Sequence, residues 1–590
     1  MAKKFESYFV RENINKLLCK YRLKAAKKKH VFQMIADISA SEKALENLNH
    51  ANNNCPEELA KLLPPRKQWI RPNREERKSK VYSDSQKIYS YSIIRKIKSV
   101  ENKVLKNEMI APEWLINLYA FIEKIQLGAA TPESYPIKRP TVKPIKKENL
   151  KSCKECRPIS INDLEDRVVI SLTAKYLTEL FDNHFCDSSF AFRAVQKGMP
   201  VRSHHDTIVR IEDFRKKNIS KNIFVAECDI IKFFDCINHD LVLCILKQQT
   251  EKYSLNLDQN AYKIFEQYLK SYSFSKDVYP KNKTNYFETY NIPNGIFGWK
   301  KEKLIEEYYD VKDVGEDMEN TDIGVPQGGA ISCFISNLVM HTVDKVLENK
   351  DDTELLYIRF CDDMVLLHTD KAKCSEYLET YNIALKKLKL LVHEPKIIEE
   401  YNSEFWSDTS KSKAPYKWGD KNIYKANVPW LSFVGYQIRY DGAIRLRKKA
   451  LKKELIKQKE ECAIIARALL VKQNGALQDI NDISKKSKRQ QLFALENRLI
   501  SMSVGRVKLY KLNVKQTMCW SNGFKVLNKN LVSARQLRKL DSNRGRQLYR
   551  FKKKILGLKK VTNDGDDGAD NNKILFGGPY SYHNLIHKKK

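Results

Sequence analysis

The residues best suited to chemistry are acidic and lie far apart in the chain. Asp362 and Asp363 stand side by side between two apolar runs, Tyr357-Ile358-Arg359-Phe360 and Met364-Val365-Leu366-Leu367. Such runs predict the two strands of a β-hairpin with the acidic pair at its turn. Side chains alternate along a strand, so each run can face a core while the turn carboxylates project from the sheet edge. Adjacent like charges repel, and an isolated Asp-Asp is an ordinary solvated turn unless a cation sits there. A third acid, Asp229, ends an apolar stretch that starts at Ile223 and reads as a strand. Between these acids lies Gly324-Val325-Pro326-Gln327-Gly328-Gly329, a turn, and beyond them lies Lys396.

The elements that must position these residues are also legible. Cys156-Arg157-Pro158-Ile159-Ser160-Ile161 is strand-like, and Asp166-Arg167-Val168 opens a helix that continues to Phe181. After Asp229, the run Ile230-Ile231-Lys232-Phe233-Phe234-Asp235 leads to Asn238-His239-Asp240, a helix start. Ile331, Phe334, Leu338 and Val346 mark one side of a helix after the glycine turn. A further helix is expected around Tyr377 to Leu390, and a strand over Phe433-Val434-Gly435-Tyr436-Gln437-Ile438.

Residues 250–320 are polar, rich in Tyr and Lys, and show no clear period. To about residue 130 the pattern is helical (Phe5, Tyr8, Phe9, Ile14, Leu17, Leu18), with basic clusters and a break at Pro64-Pro65. From Arg445 onward the chain is basic and helical. The expected organisation is a helical extension over 1–130, a segment over 131–222, a central domain over 223–440 with an insertion at about 250–320, a basic helical domain over 441–560 and a flexible basic tail over 561–590.

Composition bounds the partners. At 590 residues, several domains are expected. Lys plus Arg total 107 against 72 for Asp plus Glu, a net charge of +35, which favours a polyanion such as nucleic acid. No run of about 18 apolar residues is evident, so no membrane partner is expected. The N-terminus lacks a secretory apolar segment, which points to the cytoplasm. Thirteen cysteines read as reduced core residues. Cys153 and Cys156 have metal spacing, but no second pair follows at a finger-like distance, so zinc is not expected there. The Gly- and Asp-rich stretch 563–568 lacks the bidentate glutamate of a calcium loop and reads as a linker.

Taken in order, Asp229 to Asp235, Pro326-Gln327-Gly328-Gly329 with Ser332, Phe360-Cys361-Asp362-Asp363 and Phe433-Val434-Gly435-Tyr436 resemble the palm of reverse transcriptases. Cys361 and Phe360 depart from the commonest form, which has Tyr followed by a small or Met residue. The resemblance covers roughly residues 140–440, and it implies an α+β right-hand polymerase: fingers, a palm with an antiparallel sheet, and a helical thumb in the basic region.

The activity implied is that of an RNA-directed DNA polymerase, a nucleotidyltransferase. Its chemistry would use two Mg²⁺ ions (Mn²⁺ as a substitute) about 4 Å apart that clamp the attacking and leaving oxygens. By resemblance Asp229 and Asp362 would be the bridging ligands, Asp363 the weaker one, and the Ile230 carbonyl a further ligand. Phe234 would stand beneath the sugar and exclude a 2′-hydroxyl, which argues for dNTPs over rNTPs. Gln327 would line the nucleotide pocket, Gly328-Gly329 would let backbone approach the substrate, Arg157 and Arg167 would grip triphosphate oxygens, and Lys396 would face the leaving pyrophosphate.

Helical additions on both sides resemble prokaryotic defence-associated, abortive-infection enzymes. That implies antiviral (anti-phage) function, an RNA template and DNA product, sometimes a dedicated non-coding RNA, and sometimes protein-primed or untemplated synthesis. The resemblance leaves room for a homo-oligomer. The alternatives are a group II intron-like or other mobile-element polymerase and maturase, and a nucleic-acid-binding protein with an inactive palm.

Overall fold

The computed structural model of the protein describes residues 4–23, 56–73, 76, 85–147, 153–194, 202–310, 321–348, 352–402, 405–406, 411–419, 429–469, 479–484, 488–489, 492, 495–496, 499, 526–556 and 581–583. The basic cluster at 24–29, residues 485–486, the stretch 563–568 and all of the expected tail except 581–583 lie outside the described residues. The chain divides into two compact units, Met1–Ile14 with Ala120–Val434, and Asn15–Tyr119 with Gly435–Lys590.

The first unit is built on helices and antiparallel sheets. A two-stranded ladder pairs β1 (Thr141–Lys146) with β2 (Cys156–Ile161). It is followed by α1 (Leu164–Phe181), α2 (His204–Lys217), β3 (Ile223–Cys228), α3 (His239–Lys252), α4 (Gln259–Lys270) and α5 (Lys301–Tyr308). Then come α6 (Ala330–Glu348), β4 (Leu355–Phe360), β5 (Asp363–His368), α7 (Lys371–Lys387) and β6 (Lys413–Gly419). The main sheet runs β4-β5-β3-β6 with every neighbouring pair antiparallel.

Its centre is dry because the strands are apolar almost throughout. Val225, Ala226, Val365, Leu366 and Leu367 are fully buried, and α7 packs on β3, β5 and β6. By length and composition α6 is apolar enough to cross a membrane, contrary to the expectation that no such run exists. However, 72% of that window is buried inside the protein, so its apolar surface is already covered. Burial extends nearly around this helix, and Val346, expected on the core side, is exposed.

The stretch expected to be aperiodic contains regular helix. Ala261, Ile264, Phe265, Tyr268 and Leu269 form the buried face of α4, and Asp258 caps it by accepting from the Asn260 and Ala261 amides at 2.9 and 3.2 Å. Beyond it, Tyr272, Phe274, Phe287 and Phe297 pack with Val142 of β1 and Cys156 of β2 into a small core of their own.

In the second unit a hairpin of β7 (Tyr436–Arg439) and β8 (Ile444–Leu446) precedes two long helices, α8 (Lys448–Leu469) and α9 (Leu531–Leu556), which pack together. The expected continuous strand from Phe433 to Ile438 is broken by a turn at Val434 and Gly435. Gly435 has φ of 91°, a conformation open to glycine at no steric cost. On α9, Leu537, Leu540, Leu548, Phe551 and Ile555 are buried, and Arg535, Arg538, Lys539, Arg546 and Arg550 are exposed.

Candidate active site

Antiparallel register brings the dispersed acids together. Cys228, the last residue of β3, pairs with Met364 of β5, so Asp229 leaves the sheet beside the β4–β5 turn. Phe360 pairs with Asp363, which leaves Cys361 and Asp362 as the two turn residues. The acidic pair is therefore not wholly at the turn: Asp362 occupies it and Asp363 opens β5 with an exposed side chain. Cys361 has φ of 63°, as two-residue hairpin turns demand at their first position, although glycine is the usual choice there.

The electrostatics of Asp362 report its neighbours. Burial raises its carboxyl pKa and the charge of Asp229 adds to the rise; its own amide, Cys361 and Arg157 oppose it. The Asp229 carboxylate thus lies close enough to the Asp362 carboxyl for its charge to favour the protonated form there. Among the described residues no group of three or more His, Cys, Asp or Glu side chains converges as a ready metal cage.

Asp229 is held closely. Its amide donates to Ser412 Oγ at 2.9 Å and its carbonyl accepts from the His393 amide at 3.0 Å. Its Oδ2 lies 3.4 Å from Lys411 Nζ and 3.5 Å from His393 Nε2. Ile230 is bridged to Val392 and its side chain is buried, so only its backbone can serve a ligand.

Sequence reading did not find Lys411, His393 or Ser412. Lys411 and Ser412 lie just before β6, whose pairing with β3 brings them to Asp229, and nothing in their residue types marks that. Lys396, the cation expected here, is exposed. Its backbone is fixed by bonds to the Ser412 carbonyl (3.2 Å) and from the Ala414 amide (2.9 Å), and the ammonium on Asp229 belongs to Lys411.

The other expected residues fall into two groups. Phe234 and Gln327 are brought side by side because the Val325 amide donates to the Phe234 carbonyl at 2.8 Å and the Gly324 amide to Ile237 at 2.7 Å. Phe233 is core, whereas Phe234 is partly exposed, with its ring edge-on to Phe233 at 5.1 Å. Gln327 Nε2 donates to Asp235 Oδ1 at 2.7 Å, and its carbonyl accepts from the Ser160 amide of β2 at 3.3 Å. Asp235 is almost fully buried, which pushes its carboxyl up to about 6 despite that bond.

Gly328 has φ of 94° with open space where a side chain would stand. At Gly329 a Cβ would meet the Tyr268 hydroxyl at 1.8 Å, so its close backbone approach is to the protein itself. Arg157 projects from β2, exposed, within the electrostatic reach of Asp362. Arg167 lies on α1, where its Nη2 donates to the Asn162 carbonyl at 3.3 Å. Cys153 and Cys156 are free thiols with backbone carbonyl partners.

Residues 145–409 match the family model described as "Reverse transcriptase (RNA-dependent DNA polymerase)". The chain thus carries a reverse transcriptase domain, and the enzyme class this domain indicates is an RNA-directed DNA polymerase, one that acts on nucleic acid. No curated protein matches the chain.

Among solved structures it is similar to telomerase from Candida albicans, in complex with a fragment of telomeric RNA. Identity is 13%, with 79% of this chain and 66% of that one covered, at a TM-score of 0.31. For apo telomerase from Candida tropicalis the values are 10%, 82%, 74% and 0.32. The chain spans just under two thirds of the first telomerase, and TM-scores at this level assign it no role.

Proposed function

We propose that the chain extends DNA on an RNA template, using Asp229 and Asp362 to hold divalent cations, with Mg²⁺ the ion that best fits them. The observation that carries this reading is the register of β3 against β5, which sets Asp229 beside the Cys361–Asp362 turn. When bound, such cations neutralise phosphate charge and activate a primer hydroxyl. The chain's own residues orient the reactants. Asp363 takes a lesser part than Asp362, because it has moved into the strand.

Phe234, partly exposed beside Gln327, is suited to stand under the sugar and exclude a 2′-hydroxyl. Asp235 fixes the Gln327 amide by accepting from Nε2, which leaves Oε1 as an acceptor for the substrate. Arg157 is the better placed of the two arginines for triphosphate oxygens, being exposed and close enough to influence Asp362. For the leaving pyrophosphate Lys411, whose ammonium lies 3.4 Å from Asp229 Oδ2, is a candidate beside Lys396. The exposed Lys and Arg of α8 and α9 supply a face for phosphates of a template–primer duplex.

The biological setting we propose is anti-phage defence with a dedicated RNA, on the strength of the helical additions flanking the domain. The test is incorporation by the purified chain on a primed RNA template with dNTPs or rNTPs. Incorporation restricted to dNTPs is expected, and equal or preferred use of rNTPs would overturn the substrate assignment. Sequencing the nucleic acid that copurifies, and plating phage on cells carrying the wild type or Asp362→Ala, test the setting.

A further inference from the structure

Behind the hairpin lies a charged cluster with no contact to solvent. Arg359 of β4 and Asp344 of α6 both have wholly buried side chains. Arg359 Nε and Nη2 donate to the two oxygens of Asp344 at 2.8 and 2.6 Å, and Tyr357 adds its hydroxyl to the same carboxylate at 2.8 Å. Nη2 also donates to Ser189 Oγ at 2.9 Å. The remaining strong bond leaves the cluster: Nη1 donates to the carbonyl of Cys361 at 2.9 Å.

A buried ion pair is a poor way to gain stability, because apolar residues of similar volume do as well or better. What apolar residues cannot supply is a donor for the Cys361 carbonyl. Cys361 is a non-glycine residue held at φ of 63°, a conformation that persists only where the surroundings over-determine it. It is also the residue immediately before Asp362. The cluster is anchored on its far side. Ser189 donates from Oγ to Asn337 Oδ1 at 3.1 Å, and its carbonyl accepts from Arg193 at 2.9 Å. Arg193 is itself paired with buried Asp182 at 2.8 Å. The turn thus hangs from two buried arginines joined through Ser189.

We propose that Arg359 and Asp344 are positioning residues that set the cation affinity of the site, by fixing the Cys361 carbonyl and so holding the Asp362 carboxylate beside Asp229. Ser189 ties this device to the Asp182–Arg193 pair. The inference rests on the reading of Asp362 as a cation ligand.

The test is Mn²⁺ binding to the full chain, followed by the paramagnetic signal of free Mn²⁺, with a melting curve for each variant. In the triple variant Tyr357→Phe, Asp344→Val, Arg359→Met apolar groups replace the whole cluster. It is expected to fold and to bind Mn²⁺ about 10–100-fold more weakly, the usual cost of losing a group that orients a metal ligand. With saturating metal, its kcat falls while KM for the nucleotide changes little. Arg359→Lys keeps the charge but cannot fork to both Asp344 and Cys361, and should weaken Mn²⁺ binding less; Ser189→Ala should weaken it least.

A folded triple variant, or a folded Arg359→Lys if the triple does not fold, with wild-type Mn²⁺ affinity overturns the proposal. Asp362→Ala serves as the reference. If it loses Mn²⁺ affinity while the folded Arg359 variants keep theirs, the inference alone fails. If Asp362→Ala itself keeps wild-type affinity, the ligand reading fails and the inference with it.

Discussion

Charge is used in opposite ways around the hairpin of the first unit and along the exposed face of α9 in the second, although α9 also buries a pair of its own, Arg544 with Asp541. Around the hairpin of the first unit, Arg359, Asp344, Arg193 and Asp182 are buried and each bond is directional. On α9 of the second unit, Arg535, Arg538, Lys539 and Arg546 are exposed and stand opposite a buried apolar stripe. The difference teaches what each set can do. Buried, bonded charges fix geometry and tolerate little change. Exposed charges add almost nothing to stability and can follow a polyanion.

The contrast can be broken most forcefully at Asp344. Replacing it with Ala leaves the Arg359 guanidinium buried without its carboxylate, and the expected loss is about 3–5 kcal/mol of stability. A denaturant titration showing less than about 1 kcal/mol would mean the pair is not the fixed charge described here.

Asp235 offers the next largest effect. Burial pushes its carboxyl up to about 6 from an ordinary 3.8. The folded chain therefore holds a proton over a pH range where the unfolded chain has lost it. The contribution of Asp235 to stability falls as pH rises from about 4 to about 6 and is flat above, a total cost of about 3 kcal/mol at neutral pH. Asp235→Asn keeps an acceptor for Gln327 and removes the titration. Between pH 4 and 7 the wild type should lose about 3 kcal/mol relative to this variant; parallel profiles would contradict the assigned cause.

On the exposed side, changing Arg535, Arg538, Lys539 and Arg546 together to Gln should leave stability within about 1–2 kcal/mol. It should weaken binding of an RNA–DNA duplex roughly tenfold or more at low salt, and lower the salt slope by about 0.9 for each phosphate that the variant no longer neutralises. An unchanged salt slope would remove α9 from the nucleic-acid face. The smallest effect is expected at Phe234. Phe234→Ala should relax dNTP over rNTP selectivity by about tenfold, with stability nearly unaffected because the ring is only partly buried.

Much of this was legible where the signal is local. The apolar runs around Asp362, the strand ending at Asp229 and the turn at Pro326-Gln327 were each visible from patterning within a dozen residues. What escaped depends on pairing across long separations. Lys411 and His393 reach Asp229 only through the pairing of β3 with β6 and the bridge at Val392. Arg359 reads as one polar residue in an apolar run, and its partner Asp344 as one more acid on a helix. Neither residue type nor spacing shows that both are buried.

The placement of Asp363 was missed for a geometric reason, since a two-residue turn at Cys361 and Asp362 needs a positive φ that cysteine rarely adopts. The α4 helix was overlooked because its apolar positions sit among Lys, Gln and Tyr, although Ile264, Phe265, Tyr268 and Leu269 keep helical spacing.

The central claim is that Asp229 and the Cys361–Asp362 turn form one cation seat that drives DNA synthesis. The direct measurement is primer extension on an RNA template with dNTPs and Mg²⁺, comparing the wild type with Asp362→Ala and Asp363→Ala at equal folded concentration. Loss of several kcal/mol of transition-state stabilisation predicts a fall of about 10³-fold or more for Asp362→Ala and a smaller one for Asp363→Ala. Extension by Asp362→Ala at a rate near that of the wild type would contradict the account.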